Sequence, residues 1–352
     1  MKALSFQNIT RGLSSVSGGI SSMGDKLTNI GKKYALTYSL PIAYANKKLV
    51  DNFVETDDSI RSVAVAASDG ISSNFTRAYE QVYESAKKTS EGSIYSMKQV
   101  ADGSESLIKA GWDLKDSQEQ VAHVMNLAKI EGIDLASATT IVTDGLSAFG
   151  LSAKDTERFV DALNIASVKS TTGISEMGET FKYVGAIAGT LGFTVEDTAL
   201  AVALMANKGI KASQAGTSLR AGLTNLVKPS KQASAALEQV GFSITDNSGK
   251  MKPLAQIISE LREKTEGMTE AQKVNFATTV FGKTAMTGWA AILNASDSSV
   301  KQLTKDIQSG NHTTKEMADQ LSGGVGGSID RFRATVSLSL IHISEPTRLR
   351  RI

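Results

Sequence analysis

Asn207-Lys-Gly-Ile-Lys-Ala-Ser-Gln-Ala-Gly-Thr-Ser-Leu-Arg220 is the stretch that decides how this chain folds. The apolar run Ala203, Leu204, Met205 before it reads as a helix, and Gly209 supplies the left-handed residue that closes one. Ile210 offers the apolar contact that follows such a stop, and Ser213 is placed to cap the next helix. That helix opens with Ala215, Gly216 and Ser218, small enough for another backbone to come close. Leu219, Leu223 and Leu226 then recur at helical spacing, and Pro229 marks the end. The unit so described is a tight helical hairpin, and it predicts an all-α chain.

Working outward, the same grammar recurs between about Ser59 and Pro229. Gly132-Ile-Asp134, Gly150-Leu-Ser152, Gly173-Ile-Ser175 and Gly192-Phe-Thr194 each present a Gly, an apolar residue and a capping side chain, spaced by 18, 23 and 19 residues. Each Gly is expected to stop one short helix and each Asp, Ser or Thr to start the next. Asp155 and Asp197 follow their caps by three residues, the acidic half of a capping box. Leu146, Phe149, Phe159, Val160, Leu163 and Ile165 supply apolar faces, so the expected core (59–229) is a compact stack of helical hairpins.

The flanking zones vary this theme. Residues 1–58 carry Leu13, Val16, Ile20, Met23, Leu27 and Ile30 at intervals of three or four, an amphipathic stripe interrupted by Gly18-Gly19. It reads as a helical arm that needs a partner, with self-association the natural one. In 230–321, Gly241-Phe-Ser-Ile-Thr245 alternates and Asp246-Asn-Ser-Gly249 is turn chemistry, which predicts a small β-hairpin over 241–252. Pro253 then opens a helix striped by Leu254, Ile257, Ile258 and Leu261, and Thr269-Glu-Ala-Gln272 is a capping box for one ending near Gly282. Trp289 reads as a core anchor. Ser322-Gly-Gly-Val-Gly-Gly-Ser328 reads as a hinge within 322–337, before a final helix near Ile329.

Composition narrows the chemistry. The chain has 38 Lys and Arg against 36 Asp and Glu; without residues 338–352 the balance is 35 against 35, leaving no electrostatic case for nucleic-acid binding. There is no Cys, and His123 and His312 stand far apart, so neither a disulfide nor a metal site is expected. Only four Pro in 352 residues favours helices. The most apolar stretch, Val184 to Phe193, is about half the roughly 20 residues a membrane span requires. Gly323-Gly-Val-Gly-Gly-Ser328 lacks the Lys-Ser or Lys-Thr and the preceding strand of a phosphate loop. Asp155, Glu157 and Asp161 read as a solvated acidic helix face. No nucleophile–base set is present, so no catalytic residue, cofactor or metal is expected.

Several of these motifs also carry a resemblance. The Gly-Ile-Lys…Ala-Gly-Thr-x-Leu-Arg string (Gly209, Ile210, Ala215, Gly216, Thr217, Leu219, Arg220) resembles the core region of tail tape measure proteins of long-tailed bacteriophages. The likeness runs from about Pro41 to Leu293. It takes in Leu40-Pro-Ile-Ala43, Ile60-Arg-Ser-Val63, Leu237-Glu-Gln-Val-Gly-Phe242 with Gly241, Asp246-Asn-Ser-Gly249, and Phe281-Gly282 with the helix through Ala285 and Trp289. It implies a structural role in the tail lumen during assembly, with a part in genome ejection. The implied partners are tail tube protein, tail assembly chaperones, baseplate or tip proteins and further copies. The competing expectation is a non-viral helical coiled-coil scaffold. A separate likeness concerns Leu338-Ser-Leu-Ile-His-Ile-Ser-Glu-Pro-Thr-Arg348, which resembles the translation of a transposon-end sequencing adapter. Residues 338–352 are therefore set apart from the fold, and the native chain is expected to continue beyond Ser337.

Overall fold

The computed structural model describes residues 51–335, apart from 53, 69–71, 92, 311–312, 325 and 333. The stripe expected at 13–30, His312 and the segment 338–352 lie outside the described residues. Among them the fold is all-α. In chain order the helices are α1 (54–67), α2 (Ser72–Ser90), α3 (Met97–Lys109), α4 (Leu114–Glu131), α5 (Leu135–Phe149), α6 (Thr156–Val168), α7 (Ile174–Thr190) and α8 (Val195–Ala206). They continue with α9 (Ala212–Val227), α10 (Lys231–Gln239), α11 (Leu254–Thr265), α12 (Glu270–Phe281), α13 (Met286–Leu293), α14 (Asp297–Ser309) and α15 (Thr313–Leu321).

The stops between these helices are what the glycine grammar requires. Gly132, Gly150, Gly192, Gly209 and Gly241 all take positive φ, between 64° and 82°. In each case the following apolar residue donates its N–H to a carbonyl five positions back: Ile133 to Ala128, Leu151 to Leu146, Phe193 to Ala188, Ile210 to Met205 and Phe242 to Leu237, at 2.9–3.1 Å. This is the Schellman closure, which satisfies the last carbonyls of one helix while turning the chain toward the next. Asp134 and Thr194 then cap α5 and α8 by accepting from Ser137 and Asp197 N–H groups. Gly173 departs from the pattern. It has φ −97° and stands at the N-terminus of α7, with Glu176 reaching back to its N–H at 3.2 Å. Ser175 is consequently inside the helix and caps nothing; the stop before it is made by Lys169-Ser170.

Ser106–Leu321 form one compact unit. Its axis is α8, in which every residue but Glu196 is buried, as befits a helix that is apolar all round. Helices α6, α7, α9, α11, α13 and α14 pack against it. The hairpins do not simply stack on their sequence neighbours. Helix α7 packs along both α5 and α9, and the late helix α15 returns to α4 and α6, so the bundle is closed. Phe181 joins the layers, with ring centroids 5.4 Å from Phe149 and 6.1 Å from Phe159, both edge-on. The β-hairpin expected at 241–252 is reduced to a single antiparallel bridge, Thr245 with Met251. The Asp246 carboxylate accepts from the Ser248 and Lys250 N–H groups and tightens the turn too early for strands to develop.

The described residues up to Glu105, with those from Ser322 on, form a second unit. In it Asp57 binds both Arg61 and the Tyr79 hydroxyl at 2.6 Å, and Ile60, Val63, Val82 and Ala86 are buried. Beyond the glycine joint a helical segment begins at residue 326, where Arg331 donates to the Ser322 carbonyl at 3.1 Å.

Candidate functional site

The motif hairpin is built into the centre of the larger unit. Gly209 (φ +82°) ends α8, and Ile210 is buried beneath the turn. Entry into α9 is not made by a serine cap. Lys211 holds the extended cap position without capping the helix through its side chain, which pairs with Glu176 at 3.3 Å, Ala212 takes φ +48°, and Ser213 lies exposed in the first turn. Ser213 fails as a cap because Gly209 consumes the turn, leaving Ala212 to reverse direction in a left-handed conformation. The Thr180 hydroxyl of α7 compensates by donating to the Ala212 carbonyl at 3.0 Å.

From there the small residues act as expected. A Cβ on Gly216 would lie 2.6 Å from the Thr180 carbonyl oxygen and 2.7 Å from Tyr183 Cβ, so its absence lets α9 lie against α7. Gly222 faces the Trp289 indole so closely that a Cβ there would overlap Nε1. Trp289 is fully buried, stacks on Phe281 at 4.0 Å and 12°, and donates Nε1–H to the Ser218 carbonyl at 3.2 Å. Asn225 donates to the Phe281 carbonyl at 2.6 Å, tying the end of α12 to α9 where Gly282 (φ +86°) turns the chain. Ala215, Gly216 and Leu219 on α9, with Phe281 and Gly282 after it, therefore belong to one buried junction of α7, α9, α12 and α13.

Other motif residues stand apart. Gly241 closes α10, and Gly249 sits at the exposed tip of the 245–251 turn. Thr217 is half-buried, while Arg220 is exposed and, among the described residues, its guanidinium makes no hydrogen bond or ion pair. The motif thus has a packing side and an outward side, the latter ending in an unpaired cation.

Sequence reasoning missed a set of carboxylates that cap helices far away in the chain. Asp161, read as part of a solvated face, is 2% exposed and accepts from the Thr314 N–H at 2.8 Å, capping α15. It is buried because α15 folds back onto α6. Asp197, read as half of a local capping box, is 6% exposed and accepts instead from Leu254 N–H at 3.0 Å, the start of α11. Burial raises its carboxyl above the usual range, against the lowering effect of the Ala255 and Leu254 N–H groups. Glu131 likewise accepts from Ile174 N–H at 3.0 Å. Adjacent to Asp197, Glu196 makes a two-pronged pair with Arg158 at 2.6 and 2.8 Å. Burial pushes Glu196 up, but Arg158, its own backbone N–H and the Thr194 hydroxyl together outweigh that, and the carboxyl is held below its usual range. No pairing of these groups forms a metal cluster, and no helix is long and apolar enough to cross a membrane, among the described residues. The carboxylates are structural ties.

Much of this helical body, stopped by glycines, overlaps a known family. Residues 83–282 match the phage-related minor tail protein family. The chain belongs to that family. It is 28% identical over 330 residues to the tape measure protein of Pneumococcus phage Dp-1, covering 92% of this chain and 28% of that protein. It is 26% identical over 231 residues to the probable tape measure protein of Escherichia phage P2, covering 65% of this chain and 28% of that protein. The chain therefore spans little more than a quarter of the length of these relatives. No solved structure matches it. Within the minor tail family it is a phage tail structural protein of tape measure type, and the matched segment runs from Tyr83 to Gly282, through the Phe281 stack that holds Trp289.

Proposed function

We propose that this chain is the folded core of a tail length tape measure, a scaffold in the lumen of the growing tail around which tube subunits polymerise, with a later part in genome ejection. The observation that carries the proposal is the match to phage tape measure proteins over a body whose helices are all short and folded back. A ruler gains length with each residue only when extended. Written as one α-helix, Ser106–Leu321 would reach roughly 320 Å at about 1.5 Å per residue. Its longest helix, the 18-residue α4, spans only about 27 Å. This body therefore serves assembly, and the length is measured by sequence outside it.

On this reading the outward side of the motif hairpin, with Arg220, meets tail tube protein, assembly chaperones, baseplate or tip proteins, or further copies of the chain. The protein works in the host cytoplasm during assembly and resides in the tail lumen of the virion. The residues of the Trp289 junction hold the body together and carry out no chemistry. The test is an in-frame deletion of the complete hairpin 194–228 in a phage carrying this gene, with tails viewed by electron microscopy. Loss of assembled tails is the expected result. Viable particles with tails shortened by about 50 Å, the helical length of the deleted residues, would show that this body is itself part of the ruler.

A further inference from the structure

The outward side of α9 belongs to a wider surface. Helices α5, α7 and α9 lie side by side and run the same way. Along α7, Gly178 abuts Ile141 and Gly185 abuts Ala148 of α5, while Thr180 and Tyr183 abut Ala212 and Gly216 of α9. Over 140–147, 179–190 and 213–224 this layer holds only four charged residues. Its exposed positions are otherwise small: Thr140 and Ser147 on α5, Ala186 and Thr190 on α7, Thr224 on α9. The Thr140, Thr190 and Thr224 hydroxyls donate to the Ala136, Ala186 and Arg220 carbonyls at 3.0, 2.7 and 2.7 Å, so covering them leaves no donor unmet. Tyr183 and Ile187 stand half-buried along the middle. Depletion of charge around an aromatic centre is the signature of an interface core. Of the four charges, Glu179 and Lys182 pair with each other at 3.7 Å. Asp144 on the α5 edge and Arg220 on the α9 edge are exposed and, among the described residues, have no hydrogen-bond or ion-pair partner. Two helix spacings, about 16–20 Å, keep them from pairing within one copy.

We propose that this face binds a second copy of the chain, the two copies related by a two-fold axis lying along α7. Such an axis stacks α7 on α7 in parallel and sets each α5 edge against the other copy's α9 edge, so Asp144 meets Arg220 twice. The heights agree. Asp144 lies midway between Ile141 and Ala148, and Arg220 one turn beyond Gly216, which leaves them roughly 6 Å apart along α7, within the reach of an arginine. The face extends about 25 Å along α7 and about 25 Å across three helices. A pair therefore buries roughly 1,200 Å² in total, the lower end for a specific interface. The inference rests on the reading that the outward side of the motif hairpin is a contact surface, and it names which candidate partner takes that side.

The full chain has no Cys, so introduced cysteines report the geometry directly. Ala186→Cys, beside the axis, is expected to give a disulfide-linked dimer under mild oxidation, since a bridge needs Cα atoms within about 7 Å. Asp144→Cys and Arg220→Cys chains should each stay unlinked alone and link when mixed. In sedimentation velocity, Arg220→Glu and Asp144→Arg should each weaken self-association about fivefold or more, and the two together should restore it. All three positions are exposed, so unchanged melting curves show that a loss of association is not a loss of fold. A chain that stays monomeric, an Ala186→Cys chain that never links, or a charge swap that restores nothing overturns the proposal. Association is scored without tails, so its failure is separate from failure of the assembly reading, which the hairpin deletion tests.

Discussion

Gly222→Ala is the sharpest probe of how this body is locked. On helix propensity alone the change stabilises a helix interior by about 1 kcal/mol. The structure dictates the opposite sign, because the added methyl falls on the Trp289 indole. That ring has nowhere to go: Phe281 is stacked against it at 4.0 Å, and Nε1–H is held by the Ser218 carbonyl at 3.2 Å. Overpacking a filled core costs about 1–3 kcal/mol, and pulling the indole off its carbonyl adds about 1 kcal/mol. After the propensity gain is subtracted, the net loss is about 1–3 kcal/mol, equivalent to roughly 2–12 °C in Tm for a unit of this size. Thermal unfolding followed by far-ultraviolet circular dichroism measures it. Trp289→Phe, which leaves room for the methyl, should recover more than about 1 kcal/mol of the Gly222→Ala loss in a double-mutant cycle. An unchanged or raised Tm, or strict additivity of the two changes, would refute the claim that α9 and α13 meet through this contact.

Other expectations follow from the caps and the strained turn. Asp197→Asn should become progressively more favourable relative to the parent as pH rises from about 4 to 7. The folded protein holds the Asp197 proton above its ordinary range, so that group's contribution is complete below the unfolded pKa of about 4 and is lost as pH climbs through the raised folded value. Urea unfolding across that range measures the slope, and an opposite trend contradicts the burial argument. Asp161→Ala should loosen α15 by about 0.5–2 kcal/mol, the usual worth of an N-cap, seen as faster amide exchange over 313–321, while Asp161→Asn keeps much of the protection. Ala212→Gly should raise stability by up to about 1 kcal/mol, because φ +48° costs an L-residue what it does not cost glycine; a lower midpoint in urea would show that this turn is unstrained. Arg220→Glu should leave the melting curve unchanged, since the side chain is exposed and unpaired, yet reduce assembled tails if the outward side of the motif is a contact surface.

How much of this was readable from the chain depends on the range of the physics involved. Gly132, Gly150, Gly192 and Gly209 announce helix ends because a left-handed residue and the apolar residue after it are local requirements, met within six positions. The Thr269–Gln272 capping box and the Leu254–Leu261 stripe are legible for the same reason, and Ala215-Gly216 signals a close helix approach because only small side chains permit one. Such features determined by themselves that the protein is a chain of short helices with stops between them. They could not say where a stop was preempted, as at Gly173, where the reach of Glu176 and Glu131 made a start instead of an end. Nor could they assign Asp161, which looks solvated, or Asp197, which looks like a local cap, until α15 and α11 are brought onto them from 153 and 57 residues away. Tertiary structure alone decided which face each helix buries, that Trp289 fills the space left by Gly222, and that α8 is the axis. Those outcomes depend on which surfaces meet, and a buried carboxylate or an empty Cβ position acquires its meaning only from the partner that arrives there.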